Sequence, residues 1–420
     1  GLLYQAIGDY TKAKPLYKRS LAIKEKALGP DHPDVALSLN NLAELYRSLG
    51  DYTKAEPLYK RSLSIWEKSL GPDHHRVALS LHNLARLYQG LGEYAKAEPL
   101  LKRSLAIKEK VLGPDHPDVA LSLNNFSMLF FSLGDYAKAE HLLKRSHSIW
   151  EKSLGPDHPR VALSLNNQAT LYASNAKYQK AHNLFIEAQR IDVKLIEQIM
   201  SFTSEEQKLK FLLMKKNSMY AFFNLVNQHE KQIAIAKKDA LDIWLKRKGV
   251  ILEAQKRFQE AIVYSDDPEA INTFQTLARA RSRFSKLTFS GPGKEGIEKY
   301  KQNMAEIEKD IQGLEAKLSK ISQAFALKQK ISKADSHKVA SALPKNTALI
   351  EFARIRKANF KAKGKEKLWN KYIYLAFVLH SGKGDTPELI DLGDAEKIDN
   401  LISKLKKERN VVELYLHTTE

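Results

Sequence analysis

The chain has 420 residues, a formal net charge of +19 and no cysteine. That length allows two or three domains with a sizeable core, and an apolar content of 43% excludes wholesale disorder. The missing cysteines exclude disulfides, thiolate metal sites and a cysteine nucleophile within these residues.

Along the chain, the tetrad Gly-Pro-Asp-His begins at Gly29, Gly71, Gly113 and Gly155, always 42 residues apart. A second phrase keeps the same step: Gly8-Asp9-Tyr10, Gly50-Asp51-Tyr52, Gly92-Glu93-Tyr94, Gly134-Asp135-Tyr136 and finally Ala176-Lys177-Tyr178. A fixed period of this size predicts stacked supersecondary units. Within one unit, Leu39, Leu42, Ala43 and Tyr46 form one helical stripe. Ala55, Leu58, Tyr59, Ser62, Leu63 and Trp66 form a second, with Gly50 closing the first helix. Each unit is a helix hairpin, and the fold class over residues 1–200 is mainly α, a right-handed α-solenoid of such hairpins.

The pairs Asp31-His32, Asp73-His74, Asp115-His116 and Asp157-His158 look like catalytic or metal-binding material. They recur one hairpin apart, however, about 10 Å by helix thickness, which is too far for neighbouring histidines to share a metal. Asp31, with Asp34 three residues on and Pro33 in the first turn, reads instead as a helix N-cap, although Arg76 and Arg160 replace the second acid in two copies. No metal or cofactor is expected. The Lys-Arg-Ser phrases at Lys18, Lys60, Lys102 and Lys144 read as a solvated outer face.

Residues 201–340 lose the period but keep helical patterning. Asp239 to Val263 reads as one amphipathic helix, and Asp266-Asp267-Pro268 starts another. Gly291-Pro292-Gly293 lacks the Gly-Lys-Ser/Thr ending of a phosphate loop and reads as a turn. From 297 to 325, Ile297, Tyr300, Met304, Ile307, Ile311, Leu314, Leu318, Ile321 and Phe325 alternate by three and four, a coiled-coil-like heptad seam. Its favoured partner is a helix just upstream, running antiparallel, with self-association of two chains as the alternative.

Residues 341–420 read as the opening of an α/β domain. Thr347 to Ile355 and Tyr372 to His380 are strand-like, Glu388 to Leu392 follows a turn, and Asp394 caps a helix. No apolar run reaches the length of a membrane span. The basic excess concentrates in Arg354, Arg356, Lys357, Lys361, Lys363, Lys365, Lys367 and Lys371 against the single acid Glu366. Without an accompanying aromatic pattern, a solvated loop is favoured there over a nucleic-acid site.

Leu39, Leu42, Ala43, Tyr46, Gly50, Tyr52, Ala55 and Tyr59 stand in the order of the tetratricopeptide-repeat signature. The 42-residue period with its GPDHPDVA linker resembles the kinesin-light-chain variety of that repeat. Departures are Phe126-Ser127-Met128, Gln168 and Ala176. The segment Leu2 to Tyr10 aligns with Glu44 to Tyr52, so the natural protein is expected to extend upstream, where any signal peptide would lie. A cytoplasmic location is otherwise expected.

A second resemblance covers residues 200 to 416. The wording LPKNTALIEF, YLAFVL and LIDLGDAEKIDNLI is similar to the lead-in of the CHAT family, a caspase-like peptidase module. It implies an incomplete caspase-like domain whose closing strands lie beyond Glu420. The family's nucleophile is a cysteine preceded by a motif histidine; neither His380 nor His417 sits in such a motif, so no catalytic residue is assigned.

First helices of stacked hairpins line a concave surface, and subtracting the packing stripe leaves candidate groove residues. These are Asn40, Asn41, Glu44 and Arg47; His82, Asn83, Arg86 and Gln89; Asn124, Asn125, Met128 and Phe131; Asn166, Asn167, Thr170 and Ala173. A ladder of carboxamides suits an extended peptide, offering donor and acceptor to its backbone. The resemblance implies that Asn41, Asn83, Asn125 and Asn167 hold a peptide main chain; the alternative is that they stabilise the stack itself. The expected function is therefore peptide or protein recognition within a CHAT-type protein. A pure scaffold, or nucleic-acid binding through the basic surface, are the alternatives.

Overall fold

The computed structural model describes residues 10–200, 205–233, 235–247, 267–322, 325, 335–362 and 368–409. They divide into two compact units, one through Ser153 and one from Leu154.

The first unit is a run of helices in the predicted step: α1 (Tyr10–Leu28), α2 (Pro33–Ser48), α3 (Tyr52–Leu70), α4 (His75–Leu91), α5 (Tyr94–Leu112), α6 (Pro117–Leu133) and α7 (Tyr136–Leu154). Ala43 and Ala55 have no exposed surface, which lets α2 and α3 approach closely, and Tyr59 and Trp66 fill the remaining space. A serine bond recurs in all three hairpins and a tryptophan bond in two, with Lys108 at the tryptophan position of the other. Ser62, Ser104 and Ser146 Oγ donate to the carbonyls of Ala36, Ala78 and Ala120 at 2.8, 2.7 and 2.7 Å. Trp66 and Trp150 Nε1 donate to the carbonyls of Pro33 and Pro117, both at 3.0 Å. Each such bond contributes about 1 kcal/mol.

The helix caps differ from expectation. The capping residue is the histidine: Nδ1 of His32, His74, His116 and His158 accepts from the N–H of Asp34, Arg76, Asp118 and Arg160 at 3.1, 3.2, 3.1 and 3.0 Å. Pro33 already occupies the first helical position, so residue 32 is the extended cap, with φ −73° and ψ 141°. Asp31 lies one residue too early to reach the free N–H groups. The Lys-Arg-Ser arginines are also more than a solvated face. Arg61, Arg103 and Arg145 each reach a glutamate of the preceding outer helix, Glu25, Glu67 and Glu109, at 2.7, 2.6 and 2.6 Å.

The second unit begins with the hairpin α8 (Pro159–Ser174) and α9 (Tyr178–Met200). The residue between them at the expected glycine position, Ala176, takes the left-handed conformation with φ 54°. Then come α10 (Glu205–His229), α11 (Ala236–Arg247), α12 (Pro268–Ser290), α13 (Gly296–Ile321) and α14 (Ser336–Ala342). The remainder of the helix expected over 239–263 lies outside the described residues. Asp267 caps α12, accepting from the N–H groups of Glu269 and Ala270.

The heptad seam packs on α12 within one cluster: Leu277 and Phe284 of α12 meet Ile307, Ile311 and Leu318 of α13. The helix ends at Ile321, ahead of the expected 325, because Ser322 turns extended; Phe325 still buries in the same cluster.

Strands β1 (Ala348–Ala358), β2 (Trp369–His380) and β3 (Glu388–Asp394) form an antiparallel sheet in that order, followed by α15 (Ala395–Arg409). Ile355, Leu375 and Phe377 pack with Phe222, Phe223 and Trp244 in the largest core of this unit. Asn224 fixes α10 to the end of β1, donating to the Arg356 carbonyl at 2.7 Å and accepting from the Ala358 N–H at 2.9 Å. Asp394 caps α15 through the Glu396 N–H. Of the basic segment, Arg354 and Arg356 lie over the Tyr372 ring, whereas Lys363, Lys365, Glu366 and Lys367 lie outside the described residues.

Candidate peptide-binding face

The first helices α2, α4 and α6 position the candidate ladder of the first unit. Their period places Leu37, Asn41 and Glu44 on one helix face, at i, i+4 and i+7. The carboxamides sort into two kinds. Asn40, Asn83 and Asn124 are buried rather than exposed, at 5, 8 and 4% exposure. Asn83 Nδ2 donates to Asn40 Oδ1 at 3.1 Å, joining successive hairpins. Asn41 and Asn125 remain half-exposed, and the hydrogen bonds described for this face do not draw on their carboxamides. Only the second kind keeps both donor and acceptor available to a ligand backbone.

Charge concentrates around Glu44. Arg47 binds it through Nε and Nη2 at 2.9 and 2.5 Å, Tyr59 donates its hydroxyl at 2.7 Å, and Arg86 Nη1 stands 3.8 Å away. Burial raises the Glu44 pKa, but the bonds from Arg47 and Tyr59 outweigh it and hold the carboxyl below its usual range. Arg47 is thereby committed to Glu44, whereas Arg86 keeps 43% of its side chain exposed. His82, beside them, is pushed down to about 4, chiefly by burial and then by Lys108 and Arg86. It is neutral at pH 7, and its buried Nδ1 has no hydrogen-bond partner.

Sequence reasoning named Met128 but missed the leucines beside it. Leu79 and Met128 are 41 and 42% exposed, and Leu37 and Leu121 are half-exposed. The signal was present: Leu37, Leu79 and Leu121 recur at the repeat step, four residues before Asn41, Asn83 and Asn125. Phe131 tilts against Tyr136, with ring centroids 6.0 Å apart.

In the second unit the ladder positions are drawn into the fold. Asn166 Oδ1 accepts from Ser218 Oγ of α10 at 3.1 Å, and Asn167 is half-buried and also engaged. Ser218 belongs to a buried polar network. It accepts from Gln189 Nε2 at 2.5 Å, and Asp192 Oδ2 lies 3.3 Å away as the alternative acceptor of its one proton. Lys215 binds Asp192 at 2.6 Å and Arg247 Nη1 donates to Gln189 Oε1 at 2.8 Å.

Among the described residues no group of three or more His, Asp or Glu is placed to hold a metal ion. None of the described helices is long and apolar enough to cross a membrane.

Consecutive helix hairpins, closed by a fixed corner and packed through small residues, define a helical-repeat interaction scaffold. The tetratricopeptide-repeat family model matches residues 1–67, 34–110, 88–147 and 128–192, and this part of the chain belongs to that family. A Podosopora anserina protein of kinesin-light-chain type, with nearly identical TPR-like repeats, is 30% identical; the match covers 46% of this chain and 90% of that one, with a TM-score of 0.41. BtubC (BKLC) from P. vanneervenii is 21% identical over 64% of this chain and 95% of that one, with a TM-score of 0.43. A Rap protein complexed with competence and sporulation factor is 16% identical over 76% and 74%, with a TM-score of 0.40. No curated protein matches the chain.

Proposed function

We propose that the first helices of the repeats bind an extended peptide segment of a protein partner in the groove they line. The observation that carries this reading is the half-exposed row of Asn41 and Asn125 set among Leu37, Leu79, Leu121 and Met128. Carboxamides satisfy a peptide backbone that leaves water, and the leucines supply apolar contact for its side chains. Asn40, Asn83 and Asn124 hold the stack together rather than the ligand, and Arg86 supplies a cation at the edge of the row.

The test begins with peptides selected from a displayed random library against the full chain. The variant N41A/R86A/N125A should bind them at least tenfold more weakly, with unchanged helicity by circular dichroism. Equal affinity would remove the groove assignment.

The chain is further proposed to be the recognition and linker part of a CHAT-type protein, with catalysis lying outside these residues. The order of elements supports this: repeats, a helical middle, then an antiparallel three-stranded sheet followed by a helix. Sequencing the gene downstream of residue 420 tests it. A histidine followed by a cysteine at strand ends supports the reading, and their absence leaves a scaffold without peptidase activity.

A further inference from the structure

The four Gly-Pro-Asp-His corners share one cap but not one environment. In every copy Nδ1 of the histidine accepts from the helix it caps, so the neutral ring carries its proton on Nε2 and aims that donor away from the helix. At the fourth corner the donor is used. His158 is buried at 8% exposure, and its Nε2 lies 3.0 Å from the Thr288 carbonyl near the end of α12. Four residues beyond Thr288 stands Pro292, which has no N–H, so that carbonyl has no α-helical donor and takes its hydrogen bond from the corner.

The rest of that seat is equally specific. Asp157 holds the Lys194 ammonium at 2.7 Å, and Lys194 reaches on to Glu308 of α13 at 2.8 Å. Leu195, only 3% exposed, lines a cavity of about 220 Å3 together with Phe284 and Met304. The seat is thus one imidazole N–H for a helix-end carbonyl, one ammonium for a carboxylate and one aliphatic side chain.

Stepping back 84 residues gives the second corner, with Asp73, His74, Lys110 and Val111 in place of Asp157, His158, Lys194 and Leu195. The internal arrangement is the same: Lys110 Nζ binds Asp73 at 2.5 Å and His74 Nδ1 caps α4. Its outer side differs. Val111 is 49% exposed, and the Lys110 and Asp73 side chains are 68 and 56% exposed. The corresponding residues at the first and third corners are Ser69 and Ser153, so an exposed aliphatic residue marks the second corner among the copies.

We propose that the second corner, built from Asp73, His74, Lys110 and Val111, is a docking seat for the end of a helical hairpin on an acidic protein partner. The partner's helix-end carbonyl takes the His74 Nε2 proton, a carboxylate on its second helix meets Lys110, and an apolar side chain covers Val111. The chain's charge of +19 favours an acidic partner at long range. This seat lies on the repeat corners, apart from the peptide face, and neither depends on the other.

The probe is a labelled peptide of residues 267–322, the hairpin that occupies the fourth corner in cis, made acidic by Lys299→Glu, Lys309→Glu and Lys320→Glu at exposed positions and held helical by hydrocarbon staples on its solvent faces. Titrated with the full chain, it should bind saturably. His74→Asn keeps a good N-cap while deleting the outward donor, and Val111→Ser copies the residue found at Ser69 and Ser153. The variant H74N/V111S should weaken probe binding at least tenfold while N41A/R86A/N125A leaves it unchanged. No saturable binding to the unmodified chain, or equal binding by H74N/V111S, overturns the proposal.

Discussion

The two units solve the same packing problem in opposite ways. In the first, stability is spread over repeated small interactions: a serine to a carbonyl, an arginine to a glutamate, a histidine cap, each recurring with the period. In the second, the last hairpin is tied to α10 and α11 by one network that occurs once, with Asp192 fully buried and Arg247 at 7% exposure. A repeated array tolerates the loss of any one bond because its neighbours carry the same load. A single buried network does not, since removing one member leaves charges without partners.

That contrast sets the expected size of several effects. Asp192→Ala strands Lys215 and Arg247 and should destabilise the second unit by about 3–5 kcal/mol. Hydrogen exchange should then show loss of protection in α9, α10 and α11, with α2 to α5 unchanged.

Acid should act next most strongly, and in both units, since burial holds down His82 of the first as it does His158 of the second. His158 is held down to about 4, mainly by burial, with the Thr288 carbonyl only partly offsetting this. Between pH 6.5 and 4 the unfolded chain therefore binds a proton that the folded one does not. Stability is fully present above pH 6.5 and falls toward pH 4, by about 3 kcal/mol at the 1.36 kcal/mol per unit of pKa. Urea titrations at pH 7 and 4.5 should show this fall, reduced in His158→Asn.

Ser104→Ala removes one copy of a repeated bond and should cost about 1 kcal/mol, confined to α4 and α5. Ala176→Gly should stabilise the α8–α9 hairpin by about 0.5–1 kcal/mol, because glycine takes the left-handed conformation without a Cβ clash. Arg103→Ala should change stability least, about 0.5 kcal/mol, an effect that salt erases because the pair is exposed. A loss of several kcal/mol from Ser104→Ala, or none from Asp192→Ala, would break the contrast.

Much of the first unit was legible in the sequence because periodicity repeats the same evidence. Ala43, Ala55 and Gly50 each appear in several copies at one spacing, which fixes helices and turns together. The capping residue was misplaced because Asp31 and His32 are adjacent and both can cap. Pro33 at the first helical position agrees with a histidine cap, yet the second copy, with His75 there, is capped by His74 in the same way. The division of the asparagines was not legible, since Asn40 and Asn41 differ by 100° around the helix and both read as polar. The bond from Asn83 to Asn40 and the commitment of Asn166 to Ser218 need three-dimensional neighbours. The polar network at Asp192 left no sequence signal, because its members come from helices that share no period.

The central claim, that the half-exposed row on α2, α4 and α6 receives a peptide, is most directly tested by hydrogen exchange of the full chain with and without a selected peptide. New protection is expected over residues 37–48, 79–91 and 121–133. Protection confined to α12, α13 or the sheet, with α2, α4 and α6 unchanged, would contradict it.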